Sequence, residues 1–139
     1  AAHLAGPIGL INDLFYVCAP TPLQHGVARG MAALEPTYYE QMAAEYQRKR
    51  DAFCASLTAA GLTPFVPDGA YYVLADSPPL GCDDDKAAAM RILEEVGVAS
   101  VPGSSFFVSQ VGQSLTRFCY AKRWPVLEDA CERISRLQI

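Results

Sequence analysis

The sequence predicts an α+β fold, a two-layer sandwich of a small mixed sheet with helices packed on it, led by a long kinked helix. Hydrophobic residues make up 51% of the 139 residues and charged residues 19%, which suits one packed domain. Apolar positions recur at helical spacing over 21–60 and after residue 124. Short apolar segments bounded by Gly and Pro lie between them, so the predicted order is helix, helix, two strands, helix, two strands, helix.

The long helix is predicted in two parts. Thr21 is placed to cap the first part, with Pro22 at its first helical position, and the apolar pattern continues to about Leu34. Pro36 opens the second part close enough to continue the first with a kink. Gly61 is well placed as the left-handed residue that ends it.

The remaining elements follow from turn residues and capping signals. Four short strands are predicted, at 62–66, 70–75, 98–101 and 115–120. Pro64 suits only an edge strand, because proline cannot donate to the ladder. The aspartates at 83–85 favour a helix N-terminus through the helix dipole, and Gly97 ends that helix. The last helix begins at Trp124.

Composition excludes several function classes. A net charge of −4 gives no electrostatic footprint for nucleic acid or for an anionic membrane. No segment approaches the roughly 20 apolar residues that a membrane-spanning helix needs. The five cysteines are odd in number and form no Cys-x-x-Cys pair, so we predict no metal site, no disulfide framework and a reducing cytoplasmic environment. Cys82, in a polar loop, is predicted to be the exposed thiol.

Arg117 is the candidate binding residue. It lies in the middle of a predicted strand and shares one face with Leu115 and Cys119. A guanidinium on an apolar, half-buried face needs an anionic partner, because burying a lone charge is costly. That partner is either an Asp or Glu of a neighbouring helix, or the carboxylate of a ligand, which a planar guanidinium binds bidentately. The residues alone leave both interpretations open.

Four segments, in order, resemble the class I/II aminotransferases that use pyridoxal 5'-phosphate (PLP). The resemblance covers roughly residues 15 to 139. Within the family, the chain looks most like the kynurenine-type and glutamine-type aminotransferases. The segments are C-A-P-T-P-L-Q at 18–24, P-D-G-A-Y-Y at 67–72, V-P-G-S-S-F at 101–106 and S-L-T-R-F-C-Y-A-K at 114–122.

The resemblance implies a function and a set of site residues. In this family an arginine in the last of these strands binds the substrate α-carboxylate, which implies that role for Arg117. Tyr71, Tyr72 and Phe106 are candidates for lining the substrate side chain, although ordinary core packing is the alternative for each. The family implies transfer of an amino group between an amino acid and a 2-oxo acid, a PLP cofactor and a homodimer.

The chain departs from the family in what it lacks. None of its three lysines, Lys49, Lys86 and Lys122, lies in the Ser-x-x-Lys context of the lysine that binds PLP. We therefore predict that this chain contains no catalytic, cofactor-binding or metal-binding residue. We also predict that residues 1–20 are a remnant of the interdomain or large-domain segment and that residues 21–139 form the small C-terminal domain. The expected result is a chain that is inactive by itself. A free-standing carboxylate-binding module or a dimerisation module remains an alternative.

Overall fold

A computed structural model describes residues 2–15, 19–107, 110–137 and 139. The chain divides into two compact units, Ala1–Glu40 and Gln41–Ile139, and each is described by itself. The predicted segments 1–20 and 21–139 stay a prediction.

The first unit is helical. Helix α1 (Ala5–Phe15) follows a short 3-10 turn, α2 spans Thr21–Ala33, and α3 (Pro36–Ala59) begins in this unit. The predicted cap is displaced by one residue, because Pro20 is the N-cap of α2 and Thr21 is already helical. Leu34 is extended, with ψ at 124°, so the predicted kink is a break between two helices.

The apolar side chains of α1 and α2 are exposed within the structure. Neither helix has a buried residue among those described. Leu14 and Phe15 are 83% and 82% exposed, and Leu23 and Met31 exceed 60%. Exposed apolar surface of this extent is typical of surfaces that other protein segments cover. The apolar residues that follow Ile8 in the sequence continue into 16–18, which lie outside the described residues.

The second unit contains a four-stranded sheet in the order β1-β2-β4-β3. The strands are β1 (Thr63–Phe65), β2 (Tyr72–Asp76), β3 (Val101–Pro102) and β4 (Leu115–Cys119). The α+β class is confirmed, but the prediction of a mixed sheet is wrong, since every strand pair in the described sheet is antiparallel. The reason is that β4 lies between β2 and β3, which run in the same direction and would otherwise pair in parallel. β1 is an edge strand, as Pro64 predicts.

Three helices of this unit contribute the hydrophobic core on one side of the sheet: α3, α4 (Asp85–Val96) and α5 (Trp124–Ile134). The rings of Phe53 and Phe118 are 5.7 Å apart and join α3 to β4. Ile92 of α4 and Ile134 of α5 are fully buried in the same cluster. Burial of side chains of this size contributes roughly 1.5–3 kcal/mol each, which makes this face the main source of the unit's stability.

The helix ends follow the predicted signals. Gly61 and Gly97 adopt left-handed conformations, with φ of +86° and +68°, after α3 and α4. The Asp84 side chain caps α4 by accepting a hydrogen bond from the Ala87 backbone at 2.7 Å. Within the described ranges no helix combines the length and hydropathy needed to cross a bilayer.

Candidate functional site

Strand β4 presents two different faces. Thr116 and Phe118 are buried against the helices, whereas Leu115 and Arg117 are half-buried and Cys119 is exposed on the other face. Arg117 lies opposite Leu74 of β2 and Val101 of β3. The guanidinium therefore starts from the middle of an interior strand, on the sheet face that the core does not use. This is the placement that strand alternation predicts.

Two aromatic rings flank the Arg117 guanidinium. Its central carbon Cζ lies 4.0 Å from the Phe106 ring centroid and 5.2 Å from that of Tyr72. Both distances are within the range of a cation–π interaction, which contributes roughly 0.5–2 kcal/mol. Tyr72 lies on β2 and Phe106 follows a 3-10 turn (Gly103–Ser105), so two separate elements fix the position of the guanidinium.

No acidic side chain pairs with Arg117 in the part of the chain that the structure describes. Its guanidinium makes neither a hydrogen bond nor an ion pair there. The structural ion pair that the sequence left open is thus absent among these residues. No hydrogen bond among the described residues uses its five N–H donors, so the donors remain able to bind a planar carboxylate bidentately.

Tyr71 occupies a different environment from Tyr72. The two rings meet edge to face, with centroids 5.4 Å apart. Tyr71 lines a cavity of about 480 Å³ together with Arg50, Asp68 and Tyr120, and Arg117 is not part of that lining. Of the three predicted aromatic residues, the structure therefore brings Tyr72 and Phe106 to Arg117 and leaves Tyr71 one ring away.

The turn that leads into β2 is held by hydrogen bonds from the core side. The Tyr120 hydroxyl donates to the Ala70 carbonyl at 3.1 Å, and Arg50 donates to the Pro67 carbonyl at 3.0 Å. Burial raises the pKa of Tyr120, so its hydroxyl keeps the proton that it donates. Ala70 has φ of +70°, a conformation costly for a residue with a Cβ atom. These contacts fix the point at which Tyr72 enters the sheet.

Asp85 is a site-proximal residue that sequence reasoning missed. The sequence marks it only as one of three acids at a helix N-terminus, whereas in the structure it is 2% exposed. Its Oδ2 accepts a hydrogen bond from the Ser104 backbone at 2.6 Å, next to the turn that carries Phe106. Burial by itself would raise the pKa of Asp85, but hydrogen bonds from the Ser104 backbone and hydroxyl outweigh it and lower the pKa. The only sequence signal was its position at the start of α4.

The prediction for the exposed thiol is also corrected. Cys119 is exposed and Cys82 is half-buried, with its sulfur 3.7 Å from the Leu80 carbonyl oxygen. The physical reason is strand alternation, which puts Cys119 on the face of Arg117 rather than in the core.

The lysines of the chain are engaged or exposed. The Lys49 ammonium pairs with Glu45 at 3.1 Å and lies over the rings of Tyr46 and Trp124. Lys86 and Lys122 are exposed.

A profile of the family Aminotransferase class I and II matches residues 8–134. The chain belongs to this family. It is 32% identical to a probable N-succinyldiaminopimelate aminotransferase of Mycobacterium tuberculosis, over 99% of this chain and 36% of that protein. It is 26% identical to the kynurenine–oxoglutarate transaminase of Dictyostelium discoideum, with the same coverage. The family predicted from the four segments is confirmed.

Solved structures agree with the sequence matches. The N-succinyldiaminopimelate aminotransferase of Mycobacterium tuberculosis superposes with a TM-score of 0.80 and 30% identity, over 99% of this chain and 36% of that one. An aspartate aminotransferase from Thermus thermophilus, solved with maleate, gives 0.63 and 39% identity, over 73% and 25%. The chain thus spans about a third of the length of these aminotransferases, which are named for different substrates.

Proposed function

We propose that this chain forms the substrate-carboxylate-binding part of a PLP-dependent aminotransferase, which transfers an amino group between an amino acid and a 2-oxo acid. The observation that carries the proposal is the Arg117 guanidinium, half-buried between two rings and without an acidic partner among the described residues. Membership of the aminotransferase family supports the reaction class.

The role of Arg117 in this proposal is to bind and orient. Its paired N–H donors bind the substrate carboxylate, and the rings of Tyr72 and Phe106 restrict the directions in which the donors can point. A carboxylate held in one orientation fixes which bond at the substrate α-carbon faces the reacting group. Tyr72 and Phe106 also offer apolar surface to the substrate side chain, with Tyr71 further from the cation.

The cofactor and its lysine are proposed to come from sequence outside these 139 residues. The relatives are nearly three times as long as the matched region, and Lys49 is engaged with Glu45. PLP, when bound, supplies the electron sink that makes the substrate α-proton acidic. The residues described here position the substrate for that chemistry.

The test is Arg117→Ala in the intact polypeptide. Removal of the guanidinium should weaken binding of the amino acid and of carboxylate competitors by about 2–5 kcal/mol, as for loss of one partner of a buried ion pair. Steady-state kinetics and competitive inhibition measure the change. Maleate, the dicarboxylate bound to the Thermus thermophilus enzyme, is a suitable competitor alongside a monocarboxylate.

Arg123→Ala is the matched control. Arg123 is an exposed arginine that precedes α5, so its loss changes the net charge equally without removing the contacts of Arg117. Equal substrate affinity in wild type and Arg117→Ala would assign Arg117 a structural role and remove the basis of the proposal.

The 139-residue chain by itself is proposed to be inactive. Purified alone, it should show neither transaminase turnover nor the visible absorbance of bound PLP. A cofactor that borohydride reduction fixes to the chain would contradict this part of the proposal.

We also propose that the intact enzyme is a homodimer, in the cytoplasm. The exposed apolar side chains of α1 and α2 support association, and the four described cysteines are free, as in reducing compartments. Light scattering measures the oligomeric state. A strict monomer at high concentration would count against it.

A further inference from the structure

The carboxylate of Asp85 is engaged by the turn that carries Phe106. Asp85 is the first residue of α4, on the side of the sheet that holds the core, and its side chain is buried. It accepts the Ser104 backbone N–H at 2.6 Å, a charge-assisted hydrogen bond to the middle residue of the 3-10 turn. A buried carboxylate is costly unless such donors satisfy it, so the bond fixes Ser104 relative to α4.

The same turn is fixed on its other side by close backbone packing. A Cβ atom at Gly103 would lie 2.4 Å from the Gly112 carbonyl oxygen and 2.7 Å from that of Leu115. A Cβ atom at Gly112 would lie 2.7 Å from the Gly103 carbonyl. Only glycine allows backbones to approach this closely. Leu115 is two residues from Arg117, so the turn is packed against the strand that carries the guanidinium.

Phe106 transmits the position of the turn to Arg117. Its backbone N–H donates to the Gly103 carbonyl at 2.9 Å, so its backbone follows the turn directly. Its ring is 47% exposed and so has little core packing of its own to hold it. The ring nevertheless lies 4.0 Å from the Arg117 Cζ. What holds the ring there is the backbone of 103–105, which Asp85 anchors.

We propose that Asp85 is a positioning residue for substrate binding: its buried carboxylate holds the 103–105 turn so that Phe106 keeps Arg117 oriented to receive the substrate carboxylate. This inference rests on the proposed function of Arg117. Asp85 itself does not touch the substrate. Its effect reaches the substrate through Ser104, Phe106 and Arg117 in that order.

The test is the kinetics of Asp85→Ala in the intact holoenzyme. Loss of the anchoring hydrogen bond should raise KM for the amino acid about tenfold, as for one hydrogen bond to a charged group, while kcat per bound cofactor changes little. A role in folding alone would lower the amount of active enzyme and leave KM unchanged. Asp85→Asn should raise KM less than Asp85→Ala does, because its amide oxygen can still accept the hydrogen bond from Ser104.

Asp83→Ala is the matched control. Asp83 is an exposed carboxylate two residues before Asp85, so its removal alters the charge near the α4 N-terminus equally, and KM should not change. In an Arg117→Lys background, Asp85→Ala should cause no further increase in KM. The guanidinium whose orientation Asp85 preserves is already absent from that protein.

The outcomes separate the inference from the proposed function. If Arg117→Lys raises KM and Asp85→Ala does not, Asp85 is not a positioning residue. If Arg117→Lys itself leaves KM unchanged, the proposed function fails, whatever Asp85 does. Should Asp85→Ala not fold, Phe106→Leu removes the ring at an exposed position and must raise KM in the same way. An unchanged KM in that variant also overturns the inference.

Discussion

The five residues of β4 alternate between two faces of the sheet, and the two faces have different surroundings. On one face Thr116 and Phe118 are almost fully buried and pack against helices. On the other, Arg117 lies half-buried between the rings of Phe106 and Tyr72. The first face is apolar and closed, and the second presents a cation and aromatic surface. Alternation along one strand therefore places the residues that pack in the core and the residues proposed to bind the ligand at successive positions.

The same comparison explains why the proposed binding face needs support from other parts of the fold. The core face is held by packing with many neighbours, whereas the described contacts of the Arg117 guanidinium are two ring faces. Cation–π contacts alone are weak beside core packing. The rings are in turn held by hydrogen bonds: Asp85 accepts one from the turn before Phe106, and Tyr120 donates one to the turn before Tyr72. Groups on the core side thus fix the geometry of the other face.

The largest expected effect is a loss of stability on substitution in the buried face of β4. Phe118→Ala removes a 1%-exposed ring that contacts Phe53, so it should destabilise the protein by about 3–5 kcal/mol. Chemical denaturation measures the change in unfolding free energy. A loss no larger than that of Arg117→Ala would contradict the division of the two faces.

A smaller effect should appear on acidification. The folded-state pKa of Asp85 is lowered from its ordinary 3.8, so its ionised form stabilises the fold above that value. That stability is lost as the pH falls from 3.8 through the lower folded-state pKa. Unfolding free energies measured across this range should fall more steeply in wild type than in Asp85→Asn. Parallel curves would mean that Asp85 does not anchor the turn.

The smallest expected effect is a gain in stability on substitution of another residue of the buried face. The Thr116 hydroxyl is buried and has no hydrogen-bond partner among the described residues. Replacement by the isosteric valine removes this unsatisfied group, so Thr116→Val should stabilise the protein by about 1 kcal/mol. A rise in the melting temperature, with unchanged substrate affinity, is the expected result. A fall would indicate that the hydroxyl has a partner.

Local patterns predicted the parts of this molecule that depend on near neighbours in sequence. The helix ends at Gly61 and Gly97 and the face of Arg117 follow from glycine conformation and from strand alternation. The same alternation puts Cys119 on the face of Arg117, away from the core. The wrong prediction for the exposed thiol came from reading the apolar sequence neighbours of Cys119 as its neighbours in space.

The rest depends on contacts between distant residues. Burial of Asp85 arises from Ser104, 19 positions further along the chain, and no local pattern distinguishes it from Asp83. The antiparallel sheet likewise depends on β4, the last strand, lying between two earlier ones. The family resemblance indicated Arg117 as the binding residue, but the absence of a described acidic partner could be learned only from the structure.

The most direct test of the central claim compares Arg117 with lysine at the same position. Lysine keeps the charge but cannot offer two parallel N–H donors to a carboxylate. If the ring-flanked guanidinium is the carboxylate receptor, calorimetric titration of a carboxylate competitor into the intact Arg117→Lys protein should show about tenfold or greater loss of affinity, with unfolding free energy nearly unchanged. Equal affinity in the two proteins would contradict the account.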